Sequence, residues 1–101
     1  MNEREILVNL EKAVQRRDQR ESARLVRQAI QNDELGAWRT LITLASSQTA
    51  VPDRETVVAI NALRDNYLED KNPLFAVKAA LILAYYRNEQ GGAAAHFVSQ
   101  N

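Results

Sequence analysis

The sequence predicts an all-α protein of about five antiparallel-packed helices. Apolar residues recur at three- and four-residue spacings almost throughout, no stretch sustains the alternation of a strand, and capping residues punctuate the chain at short intervals. With 101 residues the chain fits one domain and one core. Its 46% apolar and 26% charged residues sit near the globular average, which argues against wholesale disorder.

The first helix runs over roughly 3–16, with Ile6, Leu7, Leu10 and Val14 on one face. Asn2 and Glu5 have the spacing of a capping box, with Asn replacing the usual Ser or Thr. The stretch from Gln15 to Ser22 contains no apolar residue and is read as a turn. Asp18 and Glu21 repeat the capping spacing and open a second helix that carries Ala23, Val26 and Ile30, with Leu25 and Ala29 beside them.

Asn32-Asp33 supplies the next start signal, and Leu35, Trp38, Leu41, Ile42 and Ala45 form the apolar stripe of a third helix. Trp38 in this register is expected to pack in the core. A loop-like break over Ser46 to Ala50 precedes a fourth helix at roughly 52–69, with Pro52 at its first position and Asp53 and Glu55 favouring its positive end. Its stripe is Val57, Ile60, Leu63 and Tyr67.

Asn72-Pro73 is the clearest start signal, a capping side chain followed by a proline whose missing N–H costs nothing there. The fifth helix, roughly 73–89, is apolar nearly all round at its centre. Such a helix should be the central one, with neighbours on several sides. Gly91-Gly92 ends it, so residues 1–90 are read as a single helical domain. Residues 91–101 form either a short C-terminal helical turn, with Phe97 and Val98 docking, or a frayed tail.

Site chemistry is sparse in the sequence. The chain has no cysteine, which removes disulfides, thiolate ligands and cysteine nucleophiles and suits a reducing, cytoplasmic setting. Its one histidine, His96, has no acidic residue within six positions to orient it as a base. The acidic pairs Asp33-Glu34 and Glu69-Asp70 sit at helix boundaries, where capping and turn roles suit them better than a divalent ion. Three glycines form no phosphate loop. No catalytic, metal or cofactor-binding residue is therefore assigned, and the expectation is a non-enzymatic protein. The most apolar run, Ala79 to Tyr86, is far shorter than the ~20 residues of a membrane span, and the mixed-charge start does not resemble a signal peptide.

One arrangement stands out, and it is basic. Lys12, Arg16, Arg20, Arg24 and Arg27 follow helical spacings of four, four, four and three, and residues 12–27 carry six basic and two acidic side chains. On one continuous helix the five would share a face; a turn near Asp18 would divide them between two helices. Such a stripe suits phosphates or an acidic protein. A solvated face, with Asp18 and Glu21 pairing locally, is the plainer reading. Thirteen basic and thirteen acidic residues cancel overall, and no aromatic residue interleaves the arginines to stack bases. Tyr86 and Arg87 add a second candidate contact patch, because tyrosine and arginine are enriched at binding hot spots.

A weak internal repeat is also present. Residues 33–45 align with residues 72–84 at an offset of 39, with Leu35/Leu74, Ala37/Ala76, Leu44/Leu83 and Ala45/Ala84 identical and Arg39/Lys78 similar. Val57 to Tyr86 resembles a HEAT hairpin: an apolar helix, the turn Glu69-Asp70-Lys71-Asn72-Pro73, then an Ala-rich helix bearing Lys78. The first hairpin, with Arg17-Asp18 at its turn and Ala23 after it, loosely resembles the tetratricopeptide type, but Arg27 and Ile30 depart from that pattern. The resemblance implies an α-solenoid-like stack of hairpins that works by presenting a surface.

The expected function is a helical protein–protein interaction module, such as an adaptor, small chaperone or regulatory subunit. Its partner would be another protein or a second copy of itself. The alternative is a small nucleic-acid-binding regulator using Lys12 to Arg27.

Overall fold

The computed structural model describes residues 2–47 and 54–88, apart from the side chains of residues 47 and 86–88. Within them the chain forms five helices and no strand: α1 (Glu3–Gln15), α2 (Gln19–Asn32), α3 (Glu34–Ser47), α4 (Arg54–Asp70) and α5 (Leu74–Asn88). The break expected over Ser46 to Ala50 does not begin at Ser46: Ser46 and Ser47 continue α3, the Ser46 hydroxyl donating back to the Ile42 carbonyl at 3.0 Å. Residues 48–50, Pro52 and Asp53, and everything from Gly91-Gly92 through His96, Phe97 and Val98, lie outside the described residues.

Local chemistry sets each described boundary. Asn2 Oδ1 accepts from the Glu5 N–H at 2.8 Å and opens α1. Helix α1 closes on Arg17 in the left-handed region (φ 65°), with the Asp18 N–H reaching back to the Ala13 carbonyl at 2.9 Å. Asp18 then caps α2 through the Glu21 N–H at 3.0 Å. One residue, Asp33, separates α2 from α3 and serves both: its N–H bonds the Ala29 carbonyl at 2.7 Å, and its carboxylate accepts from the Gly36 N–H at 3.0 Å. Lys71, also left-handed (φ 59°), ends α4, and Asn72 Oδ1 accepts from the Leu74 N–H at 3.0 Å to start α5. Pro73 sits in the turn, one residue ahead of the helix it was expected to begin.

Helix α5 has neighbours on several sides, as its apolar sequence predicts. It packs against each of the other four helices, as α3 also does, whereas α4 touches neither α1 nor α2. Ala76, Ala79, Ala80 and Ala84 are fully buried. These small side chains let neighbouring helices approach α5, while the larger Leu83 fills the space beside them. Helix α5 reaches back to α1 and α2 as well as to its hairpin partner α4, while Leu74, Lys78 and Tyr85 share a face that stays exposed.

The core joins all five helices, from Ile6, Leu10 and Val14 in α1 through Leu25 and Val26, Leu41 and Leu44, and Ile60, to the α5 alanines. The aligned pairs at the 39-residue offset share environments. Ala37 and Ala76, Leu44 and Leu83, and Ala45 and Ala84 are buried, whereas Arg39 and Lys78 are exposed.

Leu35 departs from its expected place in the buried stripe of α3: it is 71% exposed. With Ala37, Trp38, Leu41, Leu44 and Ala45 turned to the core, Leu35 lies well round the helix from their centre, in the first turn.

Candidate functional site

The outer surface of α3 is built from Leu35, Arg39, Thr43 and Ser46, all exposed at helical spacings of four, four and three. Two depressions flank it. One, of about 320 Å³, lies between α3 and α4 and is lined by Leu35, Trp38, Arg39, Ile42, Thr43 and Arg64. The other, of about 180 Å³, lies on the α1 side and is lined by Glu11, Arg39, Thr40, Thr43 and Leu44. Arg39 and Thr43 border both, so they form a ridge between the two. A larger hollow of about 520 Å³ lies where helix ends meet and is lined by Asn2, Glu3, Arg4 and Asn32.

The α3–α4 groove is held by a polar tie beneath one end. Tyr67 donates its hydroxyl hydrogen to Glu34 Oε2 at 2.7 Å, and Lys71 Nζ donates to Glu34 Oε1 at 3.1 Å. Lys71 also stands 5.3 Å over the Tyr67 ring. The hydrogen bond from Tyr67, and then that from Lys71, hold the Glu34 carboxyl below its ordinary range. Burial, reinforced by Glu34, pushes the Tyr67 hydroxyl up to about 12. Trp38 packs its ring 5.7 Å from that of Tyr67 at a 50° tilt. Glu34 and Trp38 are one turn apart on α3, and Arg64, Tyr67 and Lys71 follow at three and four residues along and beyond α4. The tie therefore fixes the depth of Trp38 and the wall that bears Arg64.

Trp38 is only 4% exposed, in agreement with core packing, yet it also lines the groove. Its buried indole N–H and the buried Arg64 Nε–H have no acceptor among the described residues. Arg64 meets Asp65 only through its other end, at 3.6 Å. Arg39 has no ion-pair partner among the described residues. Of the lining residues, Arg39, Arg64 and Trp38 carry N–H groups and Thr43 a hydroxyl, and none brings a carboxylate.

The basic stripe is divided, as a turn near Asp18 requires. Lys12 and Arg16 belong to the end of α1, while Arg20, Arg24 and Arg27 stand on α2 opposite its buried Leu25, Val26, Ala29 and Ile30. All five are exposed. Arg16 pairs with Asp18 at 3.7 Å, and Arg24 grips Glu21 through two hydrogen bonds, that from Nε being 2.8 Å. That pairing raises Arg24 and lowers Glu21 from their ordinary values. Arg20 and Arg27 have no ion-pair partner among the described residues.

The side chains of Tyr86 and Arg87 lie outside the described set, although their backbone continues α5; the preceding Tyr85 is exposed. Among the described residues no group of three or more His, Asp or Glu side chains could hold a metal ion, and no helix is long and apolar enough to cross a membrane.

Neither Arg39 nor Arg64 is among the site residues expected from the sequence, and the Glu34–Tyr67 bond has no counterpart there. Glu34 and Tyr67 are 33 residues apart, and nothing local links them. The exposed period Leu35, Arg39, Thr43 is the one signal that could have drawn attention to this face. Compared with known protein families, characterised proteins and solved structures, the chain matches none.

Proposed function

We propose that the chain is a non-enzymatic helical module that binds another protein through the outer face of α3 and the α3–α4 groove. The observation that carries this reading is Leu35, 71% exposed at the rim of a groove that Trp38, Ile42, Arg39 and Arg64 also line. An uncovered leucine beside tryptophan and arginine combines apolar area with directional donors, the combination that concentrates binding energy at interfaces. Adaptor, small chaperone and regulatory subunit are the roles that such a face suits. The resemblance of the sequence from Val57 to Tyr86 to a HEAT hairpin supports the same reading, since helical-hairpin proteins act by surface. A cysteine-free chain also suits the cytoplasm.

The test compares the unaltered chain with Leu35→Glu and with Arg27→Gln as a distant control. Leu35 is largely exposed, so its replacement should leave the fold intact. The reading expects a protein retained by the unaltered chain and by Arg27→Gln to be lost with Leu35→Glu. If the bound partner is a second copy, sedimentation would show that variant as a monomer. Identical retention and identical mass for all three chains would remove the α3 face from consideration.

The second reading is a small nucleic-acid-binding regulator using Lys12, Arg16, Arg20, Arg24 and Arg27. What favours it is that Arg20 and Arg27 stand on the open face of α2 without carboxylate partners among the described residues. It expects binding to generic DNA or RNA that weakens steeply with salt and is lost on Arg20→Ala/Arg27→Ala. No mobility shift at low ionic strength would eliminate it.

A further inference from the structure

We infer that the outer face of α5 is a docking site for the chain's own residues 93–98, which return across it after Gly91-Gly92. This face is separate from the α3 surface proposed for a partner, and neither reading depends on the other.

Leu74, Lys78, Leu81 and Tyr85 recur along α5 at spacings of four, three and four, so they share one face. Leu74 is 49% exposed and Tyr85 53%, Lys78 is exposed, and Leu81 is half-buried. Val77 and Ile82 flank them, half-buried as well. The opposite side of the helix carries the buried Ala79, Ala80 and Leu83. A helix face turned to water ordinarily bears charged and polar side chains. Here five of the six residues are apolar, and the one charge sits on the long aliphatic stem of Lys78. Such a stem can lie along an apolar neighbour while its amine stays in water.

The chain beyond α5 supplies the occupant. Helix α5 reaches Asn88, about one turn past Tyr85, so the following residues leave from one end of this face. Residues 89–92 form a link that ends in Gly91-Gly92, where the lack of side chains admits the positive φ of a tight reversal. Four extended residues span ~14 Å, more than the ~8–10 Å between the axes of packed helices.

Residues 93–101 contain no Asp, Glu, Lys or Arg, so covering them buries no side-chain carboxylate, ammonium or guanidinium. At helical spacing Ala93, Ala94, Phe97 and Val98 fall on one side, and His96, Ser99 and Gln100 on the other. Nine helical residues measure ~13 Å, against ~16 Å from Leu74 to Tyr85. Run antiparallel to α5, the segment sets Phe97 and Val98 over Leu81 and Tyr85, and the small alanines allow close approach near the turn. A tether this short also holds the segment at millimolar effective concentration, which a second copy does not reach in dilute solution.

The chain has no cysteine, so a single introduced thiol reports on its own surroundings alone. Leu81→Cys places that thiol beneath the segment, and its rate of reaction with dithiobis-nitrobenzoate measures the cover. The rate is expected to rise about ten-fold on adding Phe97→Asp/Val98→Asp, as for the release of a segment docked nine-tenths of the time. Arg20→Cys, on the exposed face of α2, should react equally with and without those two changes. In the unaltered chain, the amides of residues 94–98 should exchange with solvent about ten-fold more slowly than in a free peptide. That measurement needs no substitution, so it decides the matter even where Leu81→Cys fails to fold. Both effects should be independent of protein concentration, with monomer mass in sedimentation.

Equal thiol rates with and without Phe97→Asp/Val98→Asp overturn the inference, and so does free-peptide exchange at residues 94–98. Protection that grows with protein concentration, alongside a dimer mass, overturns it in favour of a second copy on this face.

Discussion

The Tyr67 hydroxyl donates to Glu34 Oε2 at 2.7 Å, tying the first turn of α3 to the last turn of α4. Lys71, one residue past the end of α4, donates to the same carboxylate, so the acid accepts from two groups at once. The tie holds the Tyr67 ring against Trp38 and so sets the floor of the α3–α4 groove.

This tie predicts a pH window. Glu34 has its folded value depressed, so its contribution is present above the ordinary 4.5 and is lost as pH falls through the folded value. Tyr67 is raised from 10 to about 12, so its contribution is full below pH 10 and is lost as pH climbs toward 12. Urea midpoints across the pH range should show both slopes. Tyr67→Phe should remove the alkaline slope and the tyrosinate absorbance step near pH 12, and should lower stability by about 1 kcal/mol at neutral pH. Glu34→Gln should remove the acid component assigned to it. An unchanged alkaline profile in Tyr67→Phe would contradict the tie.

The Asp33 cap predicts an exception to helix propensity. Replacing an interior helical glycine by alanine ordinarily stabilises by up to ~1 kcal/mol. At Gly36 the added Cβ would collide with Asp33 Oδ2, approach Asp33 Cγ to 2.8 Å and crowd Leu7 Cδ1 at 3.2 Å. The carboxylate that caps α3 must then move, which forfeits about 1 kcal/mol of capping. Gly36→Ala should therefore give no gain or a net loss, whereas the same change in an Asp33→Ala background should stabilise. Additive energies in this double-mutant cycle would show the two positions to be uncoupled.

Ser22 is fully buried on α2, and its hydroxyl has no hydrogen-bond partner among the described residues. Alanine removes the unpaired group and is the better helix former. Ser22→Ala should raise stability by about 1 kcal/mol, read as a higher urea midpoint at unchanged slope. A lowered midpoint would mean that the hydroxyl is satisfied in solution.

The turn between α1 and α2 places Arg17 at φ 65°, a conformation that costs a side-chain-bearing residue about 1 kcal/mol. Arg17→Gly should relieve that strain and stabilise the chain by up to ~1 kcal/mol. Lys71 has nearly the same backbone, but Lys71→Gly also removes the amine from Glu34, so its gain should be smaller. A larger gain at Lys71 than at Arg17 would mean that its ion pair contributes nothing.

Helix starts were legible because capping is a local contract between a side chain and a backbone N–H three residues on. Asn2, Asp18 and Asp33 each keep it, and each is readable without knowledge of the rest of the fold. The many-sided packing of α5 was legible for a related reason. A helix apolar all round has no stable place except among others. The arginine stripe was readable as spacing, while its division between α1 and α2 followed from the turn that Asp18 begins.

The sequence by itself thus determined the helical class, the three opening caps and the many-sided packing of α5, since these depend on period and near neighbours. Tertiary structure decided which of those helical faces would be left uncovered. Leu35 fits an apolar stripe by composition, and it is the packing of Ala37, Trp38 and Leu41 inward that leaves it at the groove rim. Glu34 meets Tyr67, and Trp38 shares a groove with Arg64, only because α3 and α4 pack side by side. Burial and donor satisfaction depend on what the neighbouring helix brings, and that information lies tens of residues away in the chain.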